Sequence, residues 1–162
     1  MTPRQCEIAA ESYSVCLLAQ AGYDVLVQYG ANQPHYDLVA NKGNKFLPIS
    51  VKGSQDGSWM LSVRYKTKER TYHEAIEKWL SKKRKDVVFL FVQFIKVSIG
   101  EPPRAYLAIP NQIAKHIKTQ SNGRGHGALH EDYRRDHPNS MYKDKIPFSW
   151  KFSQELIDGI ML

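Results

Sequence analysis

Asp37, Ser50 and Lys52 are the residues whose types and spacing could do hydrolytic chemistry. They lie on two short apolar stretches, residues 36–41 and 46–52, with Asn41-Lys42-Gly43-Asn44 between them as a hairpin turn. Side chains opposed across a hairpin share a sheet face, so Asp37 can meet the Ser50/Lys52 pair. An acid that binds a divalent metal beside a lysine that steers water makes a phosphodiester-cleaving site. The metal lowers the pKa of its water and neutralises charge building on the phosphate. The lysine adds a positive point charge near the nucleophile and the developing negative oxygens. Lone Asp and Lys residues are common on strands, so this spacing alone does not single out that chemistry.

The elements that must position these residues follow from periodicity. A first helix is expected from about residue 4 to 21, opened by Thr2-Pro3 and stopped at Gly22. On its wheel Ile8, Val15, Leu18 and Ala19 share a face, and Glu11 falls inside it. A carboxylate on a core-facing stripe is costly without a partner; the ordinary reading is an edge glutamate bending out to solvent. Residues 23–29 alternate as a strand, with Val25, Val27 and Tyr29 on one side. In residues 46–52, Leu47, Ile49 and Val51 face one way and Ser50 and Lys52 the other. A turn is expected over 53–57 and a further strand over 59–63. Residues 72–83 read as an amphipathic helix with Tyr72, Ala75, Ile76, Trp79 and Leu80 as its buried stripe and Lys78, Lys82 and Lys85 on another face. The apolar run 87–95 suits a central strand covered on both sides. A short strand at 106–109, a helix from Pro110 to about Lys118 and a short last helix capped by Ser153 and carrying Leu156, Ile157 and Ile160 complete the pattern. Residues 119–147 show no period and are expected to be a long loop. This order predicts an α/β fold, a mixed β-sheet flanked by helices.

With those elements in place, the chain resembles the PD-(D/E)XK nuclease superfamily, which includes restriction endonucleases and Holliday-junction resolvases. The resemblance rests on Glu11, Gly22-Tyr23, Tyr36-Asp37-Leu38-Val39 and Ile49-Ser50-Val51-Lys52-Gly53-Ser54, taken in order. It covers roughly residues 5–95. It implies a restriction-endonuclease-like core and Mg²⁺-dependent (or Mn²⁺-dependent) phosphodiester cleavage. Asp37 would be the metal-ligating aspartate, Lys52 the lysine that orients water, and Glu11 the first-helix glutamate that approaches the metal. That role would explain a carboxylate on a core-facing stripe. The chain departs from the pattern at Ser50, where the family has an acid or amide. A serine hydroxyl is a weak ligand for a hard cation; the Val51 carbonyl and Glu11 would have to make up the coordination.

Charge points to the same class of partner. Lys and Arg number 23 against 16 Asp and Glu, a net +7. From Arg64 to Lys85 there are nine basic and three acidic residues, net +6, which is nearly the whole surplus. A concentrated positive face suits a polyanion, and Lys78, Lys82, Lys83, Arg84 and Lys85 are the expected nucleic-acid contacts. The expected function is a DNA endonuclease. The alternative is a catalytically inactive protein of the same fold that binds nucleic acid or serves in an assembly. RNA as a further partner is left open, and a homodimer follows only by analogy with nucleases that cut both strands.

The 162 residues are expected to form one domain. Its nuclease-like core would span about 5–109, with a C-terminal extension over about 110–162. No apolar run approaches 18 residues, which argues against a helical membrane span, and the first twenty residues do not read as a secretory signal. Cys6 and Cys16 are too far apart on one helix to bridge; two free thiols point to a cytoplasmic setting. His126, His130, His137, Glu131 and Asp132 carry no recognised metal-ligand spacing and read as a solvated loop. The stretch from Ser121 to Gly127 lacks the Gly-Lys-Ser/Thr ending of a phosphate-binding loop and reads as a connector.

Overall fold

The computed structural model describes residues 1–28 and 35–161. Tyr29, expected on the first strand, lies outside the described residues. The first helix, α1, spans Pro3–Gln20. Thr2 caps it: its hydroxyl accepts the Gln5 N–H while the Gln5 side chain takes the Thr2 N–H, which satisfies two otherwise orphaned donors. Strands β1 (Asp24–Val27), β2 (Leu38–Lys42) and β3 (Lys45–Ser54) follow as an antiparallel meander. Lys42 opposes Lys45, so the turn between β2 and β3 is the pair Gly43-Asn44. Gly43 takes a positive φ of 64°, which a two-residue hairpin demands.

After β3 come the short β4 (Ser58–Met60) and helix α2 (Tyr72–Ser81), then β5 (Val88–Gln93), which pairs with β3 in parallel. All six residues of β5 are buried, as its continuous apolar run requires. β6 (Arg104–Ala108) pairs antiparallel with β5. The five-stranded order is β1-β2-β3-β5-β6. This is the expected mixed β-sheet flanked by helices.

Two apolar clusters cover its faces. α1 and the last helix, α4 (Gln154–Met161), pack with Leu38, Ile49, Val51, Leu90 and Leu107 on one side. On the other side α2, helix α3 (Pro110–Thr119) and Trp59 pack with Phe89, Phe91 and Tyr106. Residues beyond 110 enter both clusters, through Ile113, Ile117, Leu129, Ile146 and Trp150 on one face and Ile157 on the other. Tyr23 donates to Asp158, which also accepts from Lys42, and these contacts tie α4 to the β1 end of the sheet.

Three expectations are corrected. The buried face of α1 is Cys6, Ala10, Ser14 and Leu18; of the expected stripe Leu18 is buried and Val15 packs partly against the core, whereas Ile8 and Ala19 are exposed. The cause is the close approach of α1 to β3 at Gly53. A Cβ there would lie 2.8 Å from the Cys6 carbonyl oxygen and 2.9 Å from the Ala10 Cβ. Only small residues fit such a crossing, so size and not hydrophobicity chooses the face. Second, α2 ends at Ser81, so Lys85 does not continue the helical face of Lys78. Third, residues 119–147 are not a structureless loop. They hold β7 (Ala128–His130), which pairs with β4, and the hairpin β8 (Asp132–Arg135) and β9 (Tyr142–Lys145). The glycine-rich turn docks on α2, with the Gly123 carbonyl oxygen 2.9 Å from the His73 Nε2.

Gly53→Ala should therefore lower stability by about 1–3 kcal/mol, the usual cost of overpacking. Urea denaturation with circular dichroism checks this; an unchanged midpoint would show that α1 can retreat freely.

Candidate active site

Asp37 sits just before β2, held on both sides through its backbone. Its N–H donates to the Ile49 carbonyl at 2.8 Å, and its carbonyl accepts the Gln28 N–H at 3.0 Å. The registered pairing of β2 with β3 stops at Leu38 opposite Ile49, while β3 continues to Ser54. At that fork the Asp37 Oδ2 accepts the Val51 N–H at 2.7 Å and the Ser50 hydroxyl at 3.3 Å. A carboxylate accepting a backbone N–H makes a charge-assisted bond of fixed direction. A strand residue's N–H and C=O point to the same edge, so the Val51 carbonyl faces the Asp37 side as well. Ser50 is buried, and its hydroxyl is spent as a donor to Asp37. It helps to orient the aspartate.

Lys52 is in register with Phe91, and Ser50 with Phe89. Both therefore lie on the α2 face of the sheet. Glu11 comes from α1, on the other face, and is half-buried. Burial is the main cause that pushes its carboxyl above the ordinary value of 4.5. Asp37 adds to the rise, and Arg4 and Lys52 oppose it. Asp37 and Lys52 thus both act on the Glu11 carboxyl. Hydrogen bonds join Asp37, Ser50 and Val51; Glu11 and Lys52 make no hydrogen bond to them among the described residues and are linked to Asp37 only through the charges felt at the Glu11 carboxyl.

The basic residues divide. Lys83 is half-buried, with its ammonium 5.5 Å from the Trp79 ring centre and 5.7 Å from that of Phe89. Burial, with Lys52 and Arg64 nearby, holds its pKa below the usual lysine range. Arg84 lies over the ring of Tyr36, the neighbour of Asp37, at 5.7 Å and also pairs with Asp86. Lys78, Lys82 and Lys85 are exposed. Arg64, beside Lys83, is a candidate that sequence reasoning counted only as part of the basic segment; nothing in the local pattern marks its place. Gln55 donates to the Met1 carbonyl. Tyr65 packs against the core under the Arg64 guanidinium.

The donors at the fork are all hard oxygens: two carboxylates and one carbonyl. Mg²⁺ commonly takes one or two protein carboxylates and completes its shell with water and substrate phosphate, so these residues fit it. Among the described residues no three His, Cys, Asp or Glu side chains group closely enough to hold an ion. His126 and His130 instead bond each other at 3.2 Å, Glu131 pairs with Arg104, and Asp132 with Lys143. His126, His130 and Glu131 are therefore partly buried and engaged, in contrast to the solvated loop expected, while Asp132 and His137 are exposed.

No family model matches the chain. No curated protein matches it. Among solved structures it is similar to Hjc of Archaeoglobus fulgidus, a Holliday junction resolvase from an archaeal hyperthermophile. The two are 14% identical over 94% of each chain, with a TM-score of 0.43. No helix among the described residues is long and apolar enough to cross a membrane.

The raised Glu11 carboxyl sets a pH dependence. The folded state binds this proton more tightly than the unfolded chain. Its contribution therefore favours folding at low pH and is lost as pH rises from about 4.5 through the folded pKa. Glu11→Gln should then be more stable than the parent at neutral pH in chelator, with the difference shrinking toward pH 4. Urea midpoints at the two pH values check it; a variant less stable at both would show that the ionised carboxylate is favourably held.

Proposed function

We propose that the protein is a Mg²⁺-dependent DNA endonuclease. The observation that carries this reading is the fork at Asp37. There the Asp37 carboxylate is fixed on the Val51 N–H, and the charges of Asp37 and Lys52 reach the Glu11 carboxyl while those of Lys52 and Arg64 reach Lys83, which supports a shared site. Asp37, Glu11 and the Val51 carbonyl would hold the ion. When bound, Mg²⁺ supplies a water of lowered pKa and neutralises charge on the phosphate. Lys52 orients the attacking water with its ammonium and faces the negative charge that builds on the phosphate oxygens. Ser50 keeps the Asp37 carboxylate in its bonded orientation. Lys83 meets a non-bridging phosphate oxygen, and the arriving negative charge relieves its repulsion with Lys52 and Arg64. Arg84, Lys78, Lys82 and Lys85 extend the contact along the DNA backbone. A homodimer goes with cutting both strands, and a cytoplasmic setting goes with the free thiols of Cys6 and Cys16.

A second reading has one observation in its favour. Ser50 donates a hydrogen bond where the resemblance implies another metal ligand. On that reading the chain binds nucleic acid without cutting it. Plasmid nicking separates the two. The parent should nick supercoiled DNA with Mg²⁺ or Mn²⁺ and not with chelator. Asp37→Asn keeps an acceptor for the Val51 N–H but loses the charge; it should abolish nicking and leave duplex binding within about twofold. Duplex binding with no nicking under either metal would make the second reading the right one.

The double variant Lys83→Gln/Arg84→Gln should flatten the slope of log affinity against log salt by about two. Each phosphate neutralised on duplex DNA contributes roughly 0.9. Fluorescence anisotropy across a salt series measures it, and an unchanged slope would remove these two residues from the contact.

A further inference from the structure

A second cleft, of about 700 Å³, lies apart from the Asp37 fork. It opens where β3 and β5 end, between Asp56–Ser58 on one side and Ile95–Lys96 on the other. The carboxyl ends of parallel strands are where open α/β sheets commonly place ligands. One wall is rigid: Arg104 binds both oxygens of Glu131 at 2.6 and 2.8 Å, and the Tyr106 hydroxyl donates to the same carboxylate at 2.7 Å. The remaining acids of the lining are engaged. Asp56 accepts from Ser54 and Ser58, and Asp132 lies 3.7 Å from Lys143.

Three lysines of the lining, Lys96, Lys145 and Lys151, are exposed and form no ion pair among the described residues. Beside them Phe148 is 85% exposed on a short turn. A bare aromatic ring next to lysines that form no ion pair is a combination that holds single-stranded nucleic acid, through base stacking and phosphate attraction. The lysines come from three separate segments. That arrangement suits successive phosphates better than a single phosphate group.

We propose that this cleft holds an unpaired nucleotide of the bound strand, its base against Phe148 and its flanking phosphates on Lys96, Lys145 and Lys151. The proposal rests on the nucleic-acid reading above, and it adds the structure recognised: DNA with an unpaired stretch. Trp59 stands over Phe91, which is in register with Lys52 on one side and Tyr106 on the other, so the two sites occupy opposite flanks of one sheet face.

The test is anisotropy with a fluorescein-labelled oligothymidylate of about a dozen nucleotides and a duplex of equal length, in chelator. Phe148→Ala should weaken binding of the oligothymidylate about tenfold and leave the duplex within about twofold. Lys96→Gln/Lys145→Gln/Lys151→Gln should flatten the single-strand salt slope by about two, at roughly 0.7 per phosphate. All four residues are exposed, so the fold should persist, as circular dichroism verifies. Normal oligothymidylate binding by both variants overturns the proposal. So does an equal loss on duplex and single strand, or competition by thymidine monophosphate as tight as by the oligonucleotide. If the parent binds the duplex but these variants lose nothing, the cleft falls and the endonuclease reading stands. If the parent binds neither DNA, both fall.

Discussion

Where β2 stops, β3 runs on with no strand beside it on that edge among the described residues, and the carboxylate of Asp37 accepts the Val51 N–H. That bond is a constraint on the backbone before it is anything chemical. A buried N–H left unpaired costs about 1–3 kcal/mol, so position 37 needs an acceptor whatever else the protein does. The acceptor used is charged, and its direction is set by two backbone bonds to neighbouring strands. A carboxylate so placed needs no rearrangement to meet a cation. The structural and chemical demands on this residue separate only by charge, and an amide would meet the first without the second.

The fork also gathers like charges. Glu11 and Asp37 repel, which adds to the burial that raises the Glu11 carboxyl. Lys52, Arg64 and Lys83 repel in turn, which adds to the burial that depresses Lys83. On the proposed reading a metal ion relieves the first repulsion and a phosphate the second. The two ligands then favour each other's binding, since each carries charge opposite to the other.

The parts of this arrangement that were legible in the sequence are those fixed by local pattern. The alternation in residues 46–52, the hairpin signal at Gly43 and the unbroken apolar run at 87–95 each set an element and a face. What was not legible depends on contacts between distant segments. The buried face of α1 follows from Gly53, more than thirty positions on, and so a stripe chosen by hydrophobicity went astray. The hairpin of β8 and β9 is built largely from exposed charged residues and shows no alternation to read. Lys83 looks like any lysine in a basic run; only the fold seats its ammonium over Trp79 and Phe89, where the charge of Lys52 reaches it.

Lys52 and Gly53 bring the fold and the site into one argument. A strand turns successive residues to opposite faces, so Lys52 lies toward α2 and Gly53 toward α1. The absence of a side chain at Gly53 lets α1 settle against β3, with Cys6 and Ala10 in contact distance of where a Cβ would be. Glu11 is the next residue after Ala10, and its reach toward Asp37 depends on that close crossing. A larger residue at 53 would push the helix outward and carry the Glu11 carboxylate with it. The strand's alternation thus sets the lysine on one face and, one step later, the gap that brings in the second acid from the other. A register slip of a single residue would exchange the two and lose both.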